Sequence, residues 1–426
     1  YLTFDGGRTR VTNTAALLGI SLSDGRTFTP TTNNSRDNPI ILPVDGQSFN
    51  DIGMLVPTDT NSIALSSLIG TPYNYWGDDD GDGQGVNGVT ATGSLNLLIV
   101  DKYGFRVARN EVLTICKAPY KLTLSNTEGT LTTRYGVPNE SRFSASNATY
   151  YINPKTAPVI CYITPQPLRR SNSTNVEEWE TGLSADVYDW IKDSFLPQSV
   201  TPSSYGLNFP TTGAHNLSFD LWFGGVSQAL SWAPVSHGGI TATMTDSTST
   251  GVRVTLRGPF ARNSVTNPGR VNRPSLPQSF ELVGRDSSGN AVVKYGFVLK
   301  QWFIIVHPSF GVSSTTFNDA LSWCNKTGYH LPKVKDLTNA RCGSEEGCQS
   351  ATPSSPDYMM RRHIGTGLFT EWGPAYSLFA YDREYYTSEL TSNGRNVFSV
   401  GLPEGYLRLV NNSTGHDGYS ILCTYP

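Results

Sequence analysis

Charge is scarce in this chain. Only 16% of its 426 residues are Asp, Glu, Lys or Arg, and the two signs nearly balance at a net −3. That excludes the basic stripe or patch by which a protein holds nucleic acid or an anionic membrane surface. Long hydrophobic runs are missing as well, and no stretch approaches the roughly 18 apolar residues of a membrane-crossing helix. The opening YLTFDGGRTR has neither a basic start nor an apolar segment, as expected of a chain whose signal has been removed or of a piece of something longer. Cysteine is limited to Cys116, Cys161, Cys324, Cys342, Cys348 and Cys423. No C-x-x-C occurs among them and no histidine stands at zinc-ligand spacing, so the common structural zinc sites are excluded and an even set of disulfides in an oxidising compartment is expected. The histidines form no H-x-x-x-H pair, and no G-x-S-x-G elbow or phosphate-binding glycine loop appears, which argues against hydrolase and nucleotide chemistry.

What is present is turn-forming and β-branched. Gly (41) and Pro (26) are plentiful, and short Val/Ile/Thr/Tyr runs lie between turn residues, the pattern of β-sandwiches. At roughly 100–200 residues per domain the length accommodates two to four domains. The expected fold class is mainly β, as tandem Ig-like β-sandwich modules followed by an α+β domain. The first module is expected over 1–165. Segment 120–136 reads as a hairpin about Asn-Thr-Glu-Gly, and 148–163 as a proline-interrupted strand pair. Cys116 and Cys161 each fall on an expected strand of this module, and a disulfide between them is the first choice. The polar, Pro-led stretch 165–182 marks a boundary. A second sandwich is expected over 166–306, carrying one short helix at 184–195 with Val187, Trp190, Ile191 and Ser194 on one face. It ends in a long hairpin, 278–306, turned at Ser-Ser-Gly-Asn.

From His307 the texture changes. Phe317, Ala320, Leu321 and Cys324 recur at helical spacing, Thr315 or Thr316 can cap the start, and Gly328 can end the helix. A second short helix follows Pro332, and four short strands lie at 384–390, 396–402, 406–412 and 419–426, which makes residues 307–426 an α+β unit. Its motifs are ALSWC (320–324), GYHLP (328–332), YYTSE (385–389) and the terminal YSILC (419–423). As a set they resemble the C-type-lectin-like domains that tip the invasin/intimin adhesins of enterobacteria. The resemblance implies a bacterial cell-surface adhesin whose sandwiches form a stalk, anchored by an outer-membrane region that this sequence does not contain. It implies a host-cell receptor, protein or glycan, as partner. It also implies a disulfide from Cys324 to Cys423; apart from the resemblance, Cys342 and Cys348 are expected to close a much smaller loop. Tying residues 99 apart contributes roughly 4–5 kcal/mol in the chain-entropy view, clamps the domain at its base and leaves the loops beyond Arg341 to vary. A rigid scaffold presenting variable loops is a common way to build a binding surface.

Three stretches carry candidate sites. In GDDDGDGQG (77–85), Asp78, Asp80 and Asp82 alternate as in the first half of an EF-type loop, which suggests a structural calcium ion. The twelfth position is Val89, so the bidentate Glu of that loop is missing, and a solvated acidic turn is the plain alternative. In 367–386, Trp372, Tyr376, Tyr381 and Tyr385, with Arg361 and Arg362 beside them, have the composition of a binding hot spot and equally of a compact core. Residues 341–386 and the 393–417 loops are the expected receptor surface. Calcium-dependent sugar motifs of the Glu-Pro-Asn and Trp-Asn-Asp kind are absent, so protein or calcium-independent glycan recognition is expected. In NVEEWE (175–180) Glu177 and Glu178 could serve a carbohydrate-active enzyme, which needs two carboxylates flanking a sugar. An exposed linker explains them as well. Binding without catalysis is the expectation, with a secreted enzyme or a purely structural stalk as alternatives.

Overall fold

The computed structural model describes residues 2–3, 15–75, 77–78, 82–83, 88–166, 178–261, 268–306, 315–344, 347–374, 383–416 and 419–426. The chain is mainly β and forms two units, Tyr1–Ala157 and Pro158–Pro426. Among the described residues no helix is long and apolar enough to cross a membrane.

In the first unit a five-stranded sheet runs in the order 40–41, 146–153, 120–126, 94–100, 62–64, beside a three-stranded sheet of 140–143, 129–133 and 89–91. Alternation builds its core. Leu95, Leu97 and Ile99 point inward from strand Ser94–Val100, as do Tyr120, Leu122 and Leu124 from the strand beside it. The hairpin expected over 120–136 does not form. Strand Tyr120–Asn126 pairs with Ser146–Asn153 and Ser94–Val100, whereas Gly129–Thr133 pairs in the other sheet. Gly129 makes that change of sheet sterically feasible, because a Cβ there would stand 2.1 Å from the Thr92 carbonyl oxygen.

In the second unit a seven-stranded sheet faces the three strands 231–232, 278–285 and 291–299. Phe219 from the first sheet meets Phe297 from the second at 5.8 Å between ring centroids, and Phe280 stacks on Phe297 at 5.2 Å. The hairpin around 286–290 is present, pairing Gln278–Arg285 with Ala291–Leu299. Three sequence expectations need correction. The strand Val159–Gln166 pairs with Ser218–Gly224, so the boundary expected at 165 falls inside a strand of the second unit and 148–163 is not a strand pair. Cys116 sits in the 3-10 turn Ile115–Lys117 and not on a strand, Cys161 lies on the strand Val159–Gln166, and neither is a free thiol. The helix expected over 184–195 is a tight β turn-back instead: Tyr188 pairs with Phe195, and Asp193 takes a positive φ of 48°. The Asp189 carboxylate caps the turn by accepting from the Ile191 and Lys192 amides at 3.0 and 3.3 Å. Competition of this kind from an Asp side chain is why the helical spacing misleads.

The C-terminal α+β part is not a separate body. Its six-stranded sheet runs 212–214, 301–306, 419–425, 384–390, 396–401, 406–411, so two of its strands come from the region expected to be the second sandwich. Thr212–Ala214 lies parallel to Gln301–Val306, which is antiparallel to the final strand Tyr419–Tyr425. A division at 306/307 would cut through that sheet. Helix α1, Phe317–Thr327, starts with the expected Thr316 cap, reciprocated by Asp319, and ends at Gly328 with φ 87°. Its buried face is Phe317, Ala320, Trp323, Cys324 and Thr327, while Leu321 turns outward. The short helices α2, Val334–Leu337, and α3, Leu368–Trp372, follow.

Candidate functional site

The described residues of the aromatic segment expected to meet a receptor are interior. Trp372 is 1% exposed. Its indole N–H donates to the Thr212 carbonyl at 3.0 Å, and its ring lies 4.9 Å from that of Phe209. Tyr385 is also buried and packs on Phe369 at 5.2 Å. Arg362 is buried too; its guanidinium donates to the Thr370 carbonyl at 3.0 Å and the Glu371 carbonyl at 2.6 Å, and lies 4.9 Å over the Tyr188 ring. A guanidinium can be buried this way because its fork finds carbonyls and an aromatic face. These three residues are thus corrected from contact residues to core. Tyr376 and Tyr381 lie outside the described residues.

What the segment does is lock α3 onto the sandwich. Glu371 is fully buried. Its carboxylate accepts from the Thr211 amide at 3.0 and 3.2 Å, the Thr211 hydroxyl, the Thr212 amide and hydroxyl at 3.1 and 2.9 Å, and the Gly365 amide at 3.0 Å. Burial pushes this carboxyl above the ordinary carboxylate range, against the pull of those donors. Sequence reading passed over Glu371 and its partners, whose separation of about 160 residues leaves no local signal.

The loop before α3 carries exposed side chains on a tied-down backbone. Asn339 is buried and staples it from beneath. Its carbonyl accepts the Ser355 amide at 2.7 Å, its side-chain oxygen accepts the Arg361 amide, and its side-chain amide donates to the Arg361 carbonyl, both at 2.9 Å. The Arg341 amide bonds the Asp357 carbonyl at 3.0 Å, and the Met360 amide bonds the Glu404 carbonyl at 2.8 Å. Between these ties Tyr358 stands 72% exposed, with Met359 beside it. Arg361, an expected contact residue, is half-buried and turned inward, pairing with Asp357 and donating to the Thr181 hydroxyl. Tyr358 and Met359 were missed because PDYMMRR reads as an undistinguished linker. Exposure of a large aromatic on a fixed backbone is visible only in three dimensions.

The two sulfur ties expected in this part are present. Cys324 and Cys423 bond at 2.03 Å with Cα atoms 5.4 Å apart, joining α1 to the last strand. Cys342 and Cys348 close the small loop beside the Asn339 staple. Of the expected calcium residues, Asp78 and Asp82 are described and Asp80 is not. The Asp78 carboxylate accepts the Gly83 amide at 3.0 Å. Among the described residues no group of three or more potential metal ligands converges. Of the carboxylates considered for catalysis, Glu177 lies outside the described residues. Glu178 is exposed, with the Arg361 guanidinium 3.9 Å from its carboxylate.

No protein-family model matches the chain and no curated protein does. Among solved structures it is similar to a C-terminal 282-residue fragment of intimin in complex with the intimin-binding domain of the translocated intimin receptor, at 11% identity over 82% of this chain and 92% of that one, TM-score 0.34. It is similar to intimin-190 from enteropathogenic E. coli at 14% identity over 51% of this chain and 90% of that one, TM-score 0.27. A Bacteroides ovatus glucan-locus protein in complex with a mixed-linkage heptasaccharide is similar at 14% identity over 52% and 63%, TM-score 0.15.

Proposed function

We propose that the chain is the exposed part of a bacterial cell-surface adhesin that attaches to a host-cell receptor without catalysis, and that Tyr358 and Met359 form the centre of the contact. The observation that carries this reading is the pinned loop 355–361. Its backbone is held at both ends, so a large aromatic is presented to solvent with little conformational freedom left to lose on binding. The scaffold beneath it is braced by the Cys324–Cys423 disulfide and shares a sheet with the preceding strands, which suits transmission of a pulling force. The lectin-like motifs in the sequence support the same reading.

The test uses the whole 426-residue chain, fluorescently labelled, on cultured epithelial cells read by flow cytometry. The expected outcome is saturable attachment that falls at least about tenfold in Tyr358→Ala, a loss of 1.4 kcal/mol or more, with an unchanged melting temperature. Attachment that survives the double variant Tyr358→Ala, Met359→Ser would move the contact elsewhere. No attachment by the unaltered chain would favour a stalk.

A further inference from the structure

A cleft of about 240 Å³ opens where the sandwich strands, α2 and the loop before α3 come together. Its inner wall is made by Thr211, Thr212 and the glycines Gly365 and Gly367, and its rim by Lys300 and Lys335. The volume is below the roughly 300 Å³ at which pockets begin to hold drug-sized ligands, so it suits something of monosaccharide size. The wall is polar in a specific sense. The hydroxyls of Thr211 and Thr212 donate inward to Glu371, which leaves their oxygen lone pairs to accept hydrogen bonds from a ligand's hydroxyls.

The rim carries unspent positive charge. Neither Lys300 nor Lys335 has an ion pair with a carboxylate among the described residues. Asp336, also on the rim, is occupied by the Lys333 amide at 2.7 Å at the start of α2. Glu389, near the same helix start, is occupied by the Val334 and Gln349 amides at 2.6 and 2.9 Å. Glu371 lies behind the threonines with five protein groups donating to it, so it offers the ligand no free acceptor. The Lys300 amide N–H donates to the Thr211 carbonyl at 2.7 Å, which fixes the backbone beside the cleft, and its exposed side chain runs past Gly206.

We propose that this cleft binds a monosaccharide-sized sugar acid, with its carboxylate at Lys300 and Lys335 and its hydroxyls on the threonine wall. The inference does not rest on the role of Tyr358, and its readout is separate from cell attachment. The experiment is titration calorimetry of the whole chain at low salt with N-acetylneuraminic acid and with glucuronic acid, which distinguish the two sources of such an acid. Neutral glucose and sodium sulfate serve as controls. At least one acid is expected to bind about tenfold more tightly than glucose, to weaken as salt is raised, and to lose about tenfold in the double variant Lys300→Gln, Lys335→Gln, whose melting temperature stays at the wild-type value because both side chains are exposed. Binding of neither acid, equal binding of glucose, or undiminished binding by the double variant would overturn the proposal. So would sulfate binding as tightly as the acids, since that would reduce the cleft to a point-charge anion site.

Discussion

Glu371→Ala is the sharpest perturbation the second unit offers. The carboxylate takes three backbone amides, of which those of Thr211 and Thr212 are buried and lose this acceptor on truncation. A buried donor left unpaired costs about 1–3 kcal/mol, so the pair costs about 2–6 kcal/mol. Relief of the carboxylate's own desolvation offsets part of this. Arg362 is unaffected, because it donates to backbone carbonyls and not to the Glu371 side chain. Glu371→Gln is the matched control: it keeps the volume and one acceptor oxygen but turns an NH2 toward donors, so its loss is intermediate. Urea unfolding of the second unit measures the stability, and hydrogen exchange at the Thr211 and Thr212 amides reports the bonds themselves. The pH dependence has a fixed sign. Burial raises the folded-state value of this carboxyl above its ordinary 4.5, so the stabilising contribution of protonation is fully present below 4.5 and is lost as pH rises through the raised value. The wild type therefore gains stability relative to Glu371→Gln as pH falls from neutral through that window. An alanine variant within about 0.5 kcal/mol of wild type, the range of an inert surface substitution, with protected Thr211 and Thr212 amides, would refute the reasoning.

Paired replacement of Cys324 and Cys423 by serine removes a tie across 99 residues and is expected to lower stability by about 4–5 kcal/mol; a non-reduced digest of the native chain should yield one peptide pair containing both cysteines. Gly367→Ala is expected to unfold or severely weaken the α2–α3 contact, because its φ is 127° and a Cβ there would stand 2.5 Å from the Leu337 carbonyl carbon; a melting temperature within a degree of wild type would contradict this. A fragment cut at residue 307 should be unfolded by circular dichroism, since it leaves the final strand without Gln301–Val306, whereas one beginning at Pro158 should fold.

The legible parts of this fold are those whose signals are local. Helix α1 could be read because its cap, its periodic face and its terminal glycine all sit within thirteen residues of chain, Thr316 to Gly328. The hairpin at 286–290 could be read because the Asp286 carboxylate organises its own turn through the Ser288 and Asn290 amides. Segment 184–195 misled for the converse reason: Val187, Trp190 and Ile191 have helical spacing, yet Trp190 and Ile191 point to solvent because Asp189 and Asp193 bend the chain back after three residues.

The site misled for a deeper reason. Aromatic residues beside arginine describe a binding surface and a core equally well, and only the partner decides which one is made. Here the partner is the stretch Phe209–Thr212, which supplies a ring to Trp372, a carbonyl to its indole and four donors to Glu371. Once that stretch claims α3, the sheet is continuous across the expected boundary and the large side chains are consumed in the joint. What remains for recognition is whatever the joint leaves outside, and the exposed aromatic of the loop it anchors is Tyr358. On the proposed function, the receptor surface is set by the rigidity of the junction: weakening Glu371 should lower attachment through loss of loop order even though Glu371 is itself fully buried, whereas Tyr358→Ala should lower it with the junction intact. Equal loss of Thr211 amide protection in both variants would break that distinction and with it the assignment of the two roles.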